Sequence, residues 1–349
     1  MQITQVATKE HEEVYRVEDR DSGLRGFIAI HSTTLGPAAG GLRMRVYRSE
    51  DEALNDVLRL SRGMTFKNAA AGLPLGGGKA VIIGDPSKGK TPDLLRAMGR
   101  AVETLAGRYW TAEDMGMTTA DMAVLAEETA YVAGLAGGAY ASGDPSPVTA
   151  RGVFNAVRRA AKHRLGKDSL DGLTVAVQGL GNVGRHLCAL MHGDGARLIV
   201  TDIDATRVAG AVAEWSAEAV AEDAIYHAGA DIFAPCAIGG ILNAETIPAL
   251  RVAVVAGGAN NQLATDADAG RLAASDILYA PDFVANGGGI INVAAEILKI
   301  SDRESWVAAR LTALDRTMEA ILSAAKAEGV SPHHVAERIV AEHMARAAA

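Results

Sequence analysis

The sequence predicts an α/β protein of two domains separated by a cleft, an N-terminal mixed α/β domain and a doubly wound parallel-sheet domain. Three observations carry this. A chain of 349 residues is long enough for two domains of ordinary size. After Val153, short apolar strand-like runs alternate with helical patterns, the order expected of a parallel sheet covered on both faces. The first such run, Thr174-Val175-Ala176-Val177, leads straight into the glycine-rich turn Gln178-Gly179-Leu180-Gly181-Asn182-Val183-Gly184.

Taken in order, residues 26–31 and 79–83 read as strands of the first domain. Between them, Leu54, Val57, Leu58, Ser61 and Met64 recur at helical spacing over 50–64, with acids at the start. Thr91-Pro92 suits the N-cap and first position of a helix running to about Leu105. Ser142-Gly143-Asp144-Pro145-Ser146-Pro147 is rich in turn formers and marks the crossing. Strands are then expected at 174–178, 198–201, 231–234, 252–256 and 277–280. Two amphipathic helices, from Glu304 to about Glu328 and from Pro332 to Arg346, close the chain. The expected domains are 1–135, rejoined by about 325–349, and 136–324.

The glycine-rich turn is the first half of a dinucleotide site. One glycine permits the tight turn, one lets the backbone approach a pyrophosphate, and one lets helix and strand pack closely. The helix N-terminus presents unpaired N–H groups and partial positive charge to the phosphates. Asp202 ends the next apolar run, Leu198-Ile199-Val200-Thr201, and is placed to accept hydrogen bonds from a ribose. A carboxylate there repels a 2′-phosphate, so NAD is expected rather than NADP. The second domain is thus expected to be of the Rossmann type.

Bulk properties exclude other classes. No uncharged, glycine-free apolar run is long enough to span a membrane. The first residues lack a basic-then-apolar signal layout, so a cytoplasmic protein is expected. A net charge of −8 without a basic cluster gives no case for nucleic acid. Cys188 and Cys236 read as structural thiols. His333-His334 is the only adjacent histidine pair, and no histidine spacing suggests a structural metal, so none is expected.

Chemistry is suggested by two lysines, in Met64-Thr65-Phe66-Lys67-Asn68 and Gly76-Gly77-Gly78-Lys79. Apolar and glycine-rich flanks argue against a solvated surface charge, and a buried ammonium calls for a partner or ligand anion. Asp114 lies between an aromatic pair and a glycine turn. By itself it reads equally as a helix cap or turn residue, as does Asp121.

Together these segments resemble the glutamate, leucine, phenylalanine and valine dehydrogenase family, most closely its leucine and phenylalanine branch. The resemblance covers nearly the whole chain. It is carried by residues 36–44, 63–69, 76–79, 112–116 and 143–150, by Gly258-Ala259-Asn260-Asn261-Gln262, and by 280–288. It implies reversible oxidative deamination, in which an L-amino acid, NAD and water give the 2-oxo acid, NADH and ammonium. Lys67 would then pair with the substrate carboxylate, and Lys79 and Asp114 would form the acid–base couple. Asn260 and Asn261 would hold the nicotinamide amide and the substrate amine. Thr149, Gly179, Gly181, Asn182, Val183, Gly184, Asp202, Ile203, Cys236, Ala237 and Ala259 would complete the cofactor contacts. The resemblance also implies a homo-oligomer, formed through the first domain.

The side-chain pocket implied by the resemblance has walls at Ala39, Gly40, Ala112, Ile290 and Val293. All are apolar, so a substrate carboxylate would go unpaired there and glutamate is disfavoured. Branched aliphatic substrates are favoured; phenylalanine or another aromatic amino acid is the alternative, because Ala39 is smaller than the bulky residue usual in leucine dehydrogenases. Leu42, Gly258 and Gly287 depart from the family pattern. A non-catalytic NAD-binding redox sensor would not need Lys67, Lys79 and Asp114 together. A 2-hydroxy-acid dehydrogenase would be expected to supply a catalytic histidine, for which no histidine here has a suitable context.

Overall fold

The computed structural model describes residues 1–348, which form two compact units. The first comprises 1–145, 290–309 and the end of the chain from 342; the second comprises 146–289 and 310–341.

The first unit begins with strands β1 (Gln2–Gln5), β2 (Glu13–Asp19), β3 (Leu24–Ser32), β4 (Ala38–Ala39) and β5 (Leu42–Arg45). Helix α1 (Glu50–Ala70), strand β6 (Gly76–Ile83), helix α2 (Pro92–Glu103), strand β7 (Tyr109–Trp110) and helix α3 (Thr119–Leu125) follow. The strands form one mixed sheet in the order β1-β2-β3-β6-β4-β7, with β5 also paired to β6. Both faces of its centre are buried. Ile28, Ile30, Ala80 and Ile82 pack on the α2 side with Met98 and Val102. The alternating residues Phe27, Ala29 and Val81 pack on the other side with Ala53 and Val57 of α1.

Helix α1 starts on an N-cap, Ser49, whose side chain accepts from the Glu52 amide. It runs a turn and a half beyond the expected Met64, because Ala69 and Ala70 continue the helix until Gly72 turns the chain at φ +61°. Asp121 does cap the helix, though not from the N-cap position itself. It is the third residue of α3 and completes a capping box with Thr118.

The second unit begins with α4 (Ser146–Leu165), β8 (Thr174–Gln178), α5 (Asn182–Gly193), β9 (Arg197–Thr201), α6 (Ala205–Trp215) and β10 (Glu218–Ala219). It continues with β11 (Ile232–Pro235), β12 (Val254–Val255), α7 (Ala267–Ala274), β13 (Leu278–Tyr279) and α8 (Asp282–Ala285). The chain closes with α9 (Gly288–Ile297), α10 (Arg303–Glu328) and α11 (Pro332–Ala348). The sheet is parallel throughout, in the order β10-β9-β8-β11-β12-β13. Relative to β8 as first strand this is the 3-2-1-4-5-6 order of a dinucleotide-binding sheet. Strand β10 was not anticipated, since its two exposed residues carry no apolar signal. Strands β12 and β13 are shorter than the apolar runs that contain them. The bonds Ala253 N–H to Asp231, Leu278 N–H to Ala253 and Ala280 N–H to Val255 nevertheless extend the pairing beyond them. No helix among the described residues is long and apolar enough to cross a membrane.

Candidate active site

In the first unit, strand register assembles a charged cluster beneath α1. Gly77 lies so close to this helix that a Cβ there would sit 2.2 Å from the Thr65 backbone nitrogen. Only glycine lets β6 and α1 approach this far. Gly77, Lys79 and Val81 alternate along β6 and share that face. Parallel pairing sets Arg43 of β5 opposite Val81, which puts Arg43 on the face of Lys79. An isolated bridge pairs Leu42 with Glu113, so Asp114 follows on beside Arg43.

The result is a buried ion network. Lys79 Nζ is 2.7 Å from Asp114 Oδ2, and the same oxygen accepts from Arg43 Nε at 3.1 Å. Arg43 Nη1 reaches Asp56 of α1 at 3.2 Å, and the Tyr47 hydroxyl donates to Asp56 at 2.8 Å. Lys79 is 4% exposed and Arg43 7% exposed, so each charge depends on these partners rather than on water. Burial lowers the Lys79 pKa from 10.5, and Asp114 only partly opposes this. Burial would raise Asp114, but Lys79 and Arg43 outweigh it and hold the carboxyl well below the usual range. Asp114 is therefore ionised. Glu113, its neighbour, is half-buried and moves the opposite way, raised by burial.

Lys67 lies in the last turn of α1, buried in the same unit as Lys79 and Asp114. Ala39 sits in β4, paired with Gly77 and Trp110. Ala39, Ala112, Ile290 and Val293 are all buried and all belong to this unit. Gly40 is needed for packing, because a Cβ would meet the Gly78 carbonyl at 2.0 Å and the Met64 side chain at 2.8 Å. Its carbonyl accepts the buried Tyr109 hydroxyl at 2.7 Å. Leu42, whose hydroxyl-free side chain departs from the family pattern, is fully buried in the apolar core.

In the second unit, the glycine-rich turn divides its work as its three glycines require. Gly179 has φ +98°, and a Cβ would press within 2.9 Å of Ala237. A Cβ on Gly184 would strike the Gly179 carbonyl at 2.0 Å, so helix and turn pack through it. Gly181 instead faces open space, with only Arg207 Nη1 nearby at 3.9 Å. It is the N-cap of α5 and caps with no side chain, and Asn182 and Val183 open the helix. Amides exposed at a helix N-terminus fit a pyrophosphate. Asp202 Oδ2 accepts from the Leu180 amide at 2.6 Å and Oδ1 from the Asp204 amide at 2.8 Å. The carboxylate is thus anchored at the end of β9, and Ile203 beside it is 84% exposed. An apolar side chain in that position suits the flat face of a base. The residues present fit a dinucleotide.

Cys236 and Ala237 follow β11, with the Cys236 amide donating to Gln178 at 2.7 Å. Both cysteines are free; burial pushes the Cys236 thiol up to about 11. Gly258 lies against Val183 and Cys236, where a Cβ would come within 2.9 Å of Val183. Buried Asn286 donates to the Gly258 and Ala259 carbonyls and to Asn260 Oδ1 at 3.2–3.3 Å. Asn261 adopts φ +51°, a left-handed conformation that asparagine tolerates best after glycine. Thr149 lies in the first turn of α4, where Gly288 packs against its backbone. Gly287 lies 2.9 Å, at the position of a Cβ, from the Leu314 side chain.

The expected catalytic, carboxylate-binding and pocket-wall residues thus fall in the first unit, and the expected cofactor residues, together with Asn261, fall in the second. Sequence reasoning passed over Arg43, Asp56 and Tyr47. An arginine among the apolar and glycine residues of Gly40-Gly41-Leu42-Arg43-Met44 carried the same signal that singled out the two lysines.

Residues 11–131 match the model of the Glu/Leu/Phe/Val dehydrogenase dimerisation domain. Residues 137–209 and 200–349 match that of the Glutamate/Leucine/Phenylalanine/Valine dehydrogenase domain. The chain is 49% identical to leucine dehydrogenase of Geobacillus stearothermophilus over 337 residues, which cover 97% of this chain and 91% of that one. It is 45% identical to phenylalanine dehydrogenase of Caldalkalibacillus thermarum, over 97% of this chain and 92% of that one. The crystal structure of L-tryptophan dehydrogenase from Nostoc punctiforme superposes with a TM-score of 0.78 at 42% identity, over 97% of this chain and 96% of that one. The chain belongs to the glutamate/leucine/phenylalanine/valine dehydrogenase family of amino-acid oxidoreductases.

Proposed function

We propose that the protein catalyses NAD-dependent, reversible oxidative deamination of branched aliphatic L-amino acids, giving the 2-oxo acid, NADH and ammonium. The observation that carries this reading is the Lys79–Asp114 ion pair, buried in the same unit as Lys67 and adjoined by Arg43. Relatives named leucine dehydrogenase, at 47–50% identity, support the choice of substrate class.

Lys67 binds the substrate carboxylate as a fixed cation. The α-amine must be neutral before electrons can move from nitrogen toward Cα, so a base takes its proton. NAD, when bound, would supply the acceptor for the hydride of Cα. Lys79, whose lowered pKa brings its neutral form within reach, deprotonates the water that attacks the imine carbon and polarises the new oxygen. Asp114, ionised between Lys79 and Arg43, relays protons to the departing ammonia. In the second unit, Gly179, Gly181, Asn182, Val183 and Gly184 would hold the pyrophosphate. Asp202 and Ile203 would hold the adenosine, and Cys236, Ala237, Ala259, Thr149, Asn260 and Asn261 would complete the contacts toward the nicotinamide.

The pocket walls Ala39, Ala112, Ile290 and Val293 offer no cation to an acidic substrate. The space at Gly40 is taken by Gly78 and Met64, so this glycine does not widen the pocket. Aliphatic substrates follow from that. The small Ala39 leaves phenylalanine as the second reading. The test is NADH oxidation with 4-methyl-2-oxovalerate, with and without ammonium. Consumption independent of ammonium would overturn the reaction, and a higher kcat/KM for phenylpyruvate would overturn the substrate class.

The protein is further assigned to a homo-oligomer built through the first unit, since the matched model of residues 11–131 is that of a dimerisation domain. A monomer mass in light scattering would exclude it. Free thiols at Cys188 and Cys236 accord with a reducing, cytoplasmic compartment.

A further inference from the structure

Away from the residues of the proposed reaction, the second unit brings together three side chains able to ligate a metal, from two distant parts of the chain. Asp266, His333 and Glu337 each offer one ligand atom, and these atoms all lie within 4.8 Å of one another. Asp266 is the N-cap of α7, and its carboxylate caps none of the helix amides. His333 and Glu337 lie one turn apart near the start of α11, an i,i+4 spacing that puts both on one helix face. His333 Nε2 is 3.7 Å from Glu337 Oε1, too long for a hydrogen bond.

The imidazole supplies a second observation. Both ring nitrogens of His333 are shut off from solvent, and neither has a hydrogen-bond partner. The ring stands edge-on to Phe283, with centroids 5.9 Å apart, and is tilted against Tyr279 at 6.3 Å. A buried polar group without a partner costs free energy and calls for an explanation such as an ion. A cation between the three residues would take the lone pair of one nitrogen and balance two carboxylates that otherwise repel each other.

We propose that Asp266, His333 and Glu337 form a binding site for a borderline divalent cation, with zinc as its prototype. One nitrogen and two oxygen donors suit first-row ions such as Zn²⁺, Ni²⁺ and Co²⁺ better than Mg²⁺, which prefers oxygen ligands and keeps its water. Three protein ligands leave positions for water, as expected of a partly exposed site. The cation would clamp the start of α11 to the start of α7. His333 carries the clamp to Phe283 and Tyr279, on either side of Asp282, whose carboxylate accepts the Gln262 amide at 3.2 Å. Gln262 adjoins Asn260 and Asn261, so the cation would stiffen the loop assigned to the nicotinamide. The site does not depend on the reaction proposed above. Linear spacing gave no sign of it because the third ligand comes from another helix.

The test uses the full-length, tag-free protein, stripped with a chelator and titrated with Zn²⁺, Co²⁺ and Mg²⁺ by calorimetry. Visible absorption follows the Co²⁺ spectrum. One equivalent of Zn²⁺ and Co²⁺ should bind, Mg²⁺ far more weakly, with a rise in Tm. His333→Ala, Glu337→Gln and Asp266→Asn should each weaken Zn²⁺ by roughly tenfold or more and remove the rise. The two isosteric carboxylate variants keep the test decisive if His333→Ala fails to fold. No binding by the parent protein, Mg²⁺ as tight as Zn²⁺, or unchanged Zn²⁺ affinity in Glu337→Gln and Asp266→Asn would each overturn the site.

Discussion

Lys79 and Asp114 form a 2.7 Å ion pair whose carboxylate oxygen is shared with Arg43. Arg43 is held in turn by Asp56, so the two buried cations are balanced by two carboxylates and the cluster is locally neutral. The pair also depresses the Asp114 pKa while burial depresses that of Lys79.

Removing the amine at this position separates chemistry from binding. Lys79→Ala should lower kcat by about two to four orders of magnitude, the range of acid–base catalysis, with the NAD Kd nearly unchanged. Lys67→Ala should act chiefly on the amino-acid KM. Steady-state kinetics and cofactor titration measure both. Near-parental turnover of Lys79→Ala would remove it from the acid–base step.

The deamination rate should rise with pH as Lys79 loses its proton, with a midpoint below 10.5 because burial disfavours the ammonium form. A kcat/KM profile still rising steeply above pH 10.5 would contradict this.

Arg43 is a positioning residue that acts through Asp114. Arg43→Gln leaves Asp114 with Lys79 alone and Asp56 with the Tyr47 hydroxyl alone, and should cost about 3 kcal/mol in denaturant unfolding. It should also raise the Asp114 pKa, since Arg43 lowers it, and so move the acid limb of kcat/KM to higher pH. Arg43→Lys should restore part of both. A stability loss with an unmoved acid limb would make the role structural only.

Asp202 does two things at once. It receives the Leu180 amide and so holds the glycine-rich turn, and in the proposed reading its charge is what excludes a 2′-phosphate. Asp202→Asn keeps an acceptor but drops the charge. It should narrow the NAD over NADP preference by about tenfold, an effect of roughly 1.4 kcal/mol. An unchanged ratio of kcat/KM values would place the discrimination elsewhere.

His31 is set into the α1 face, its Nδ1 2.8 Å from the Thr65 hydroxyl, with its pKa lowered to about 4 by burial and by neighbouring His11. The unfolded chain takes up this proton near pH 6.5 and the folded chain only near 4. Stability from the neutral ring is therefore complete above pH 6.5 and lost as pH falls from about 6.5 to 4. Unfolding free energies measured across that window should show a flatter slope in His31→Gln than in the parent.

Much of this protein was legible in its sequence. The helix-strand alternation after Val153 and the three glycines of the turn determined a parallel dinucleotide-binding sheet, because period and backbone freedom are local properties. The flanks of Lys67 and Lys79 marked them as buried for the same reason. Tertiary structure alone decided what those charges meet. Parallel register between β5 and β6 and the Leu42–Glu113 bridge bring Arg43 and Asp114 to Lys79, and α1 supplies Asp56. It also showed that a side chain at Gly40 would meet Gly78 and Met64, and it brought Asp266 close to His333 and Glu337. Such pairings join residues far apart in the chain, and no local pattern encodes which of them will touch.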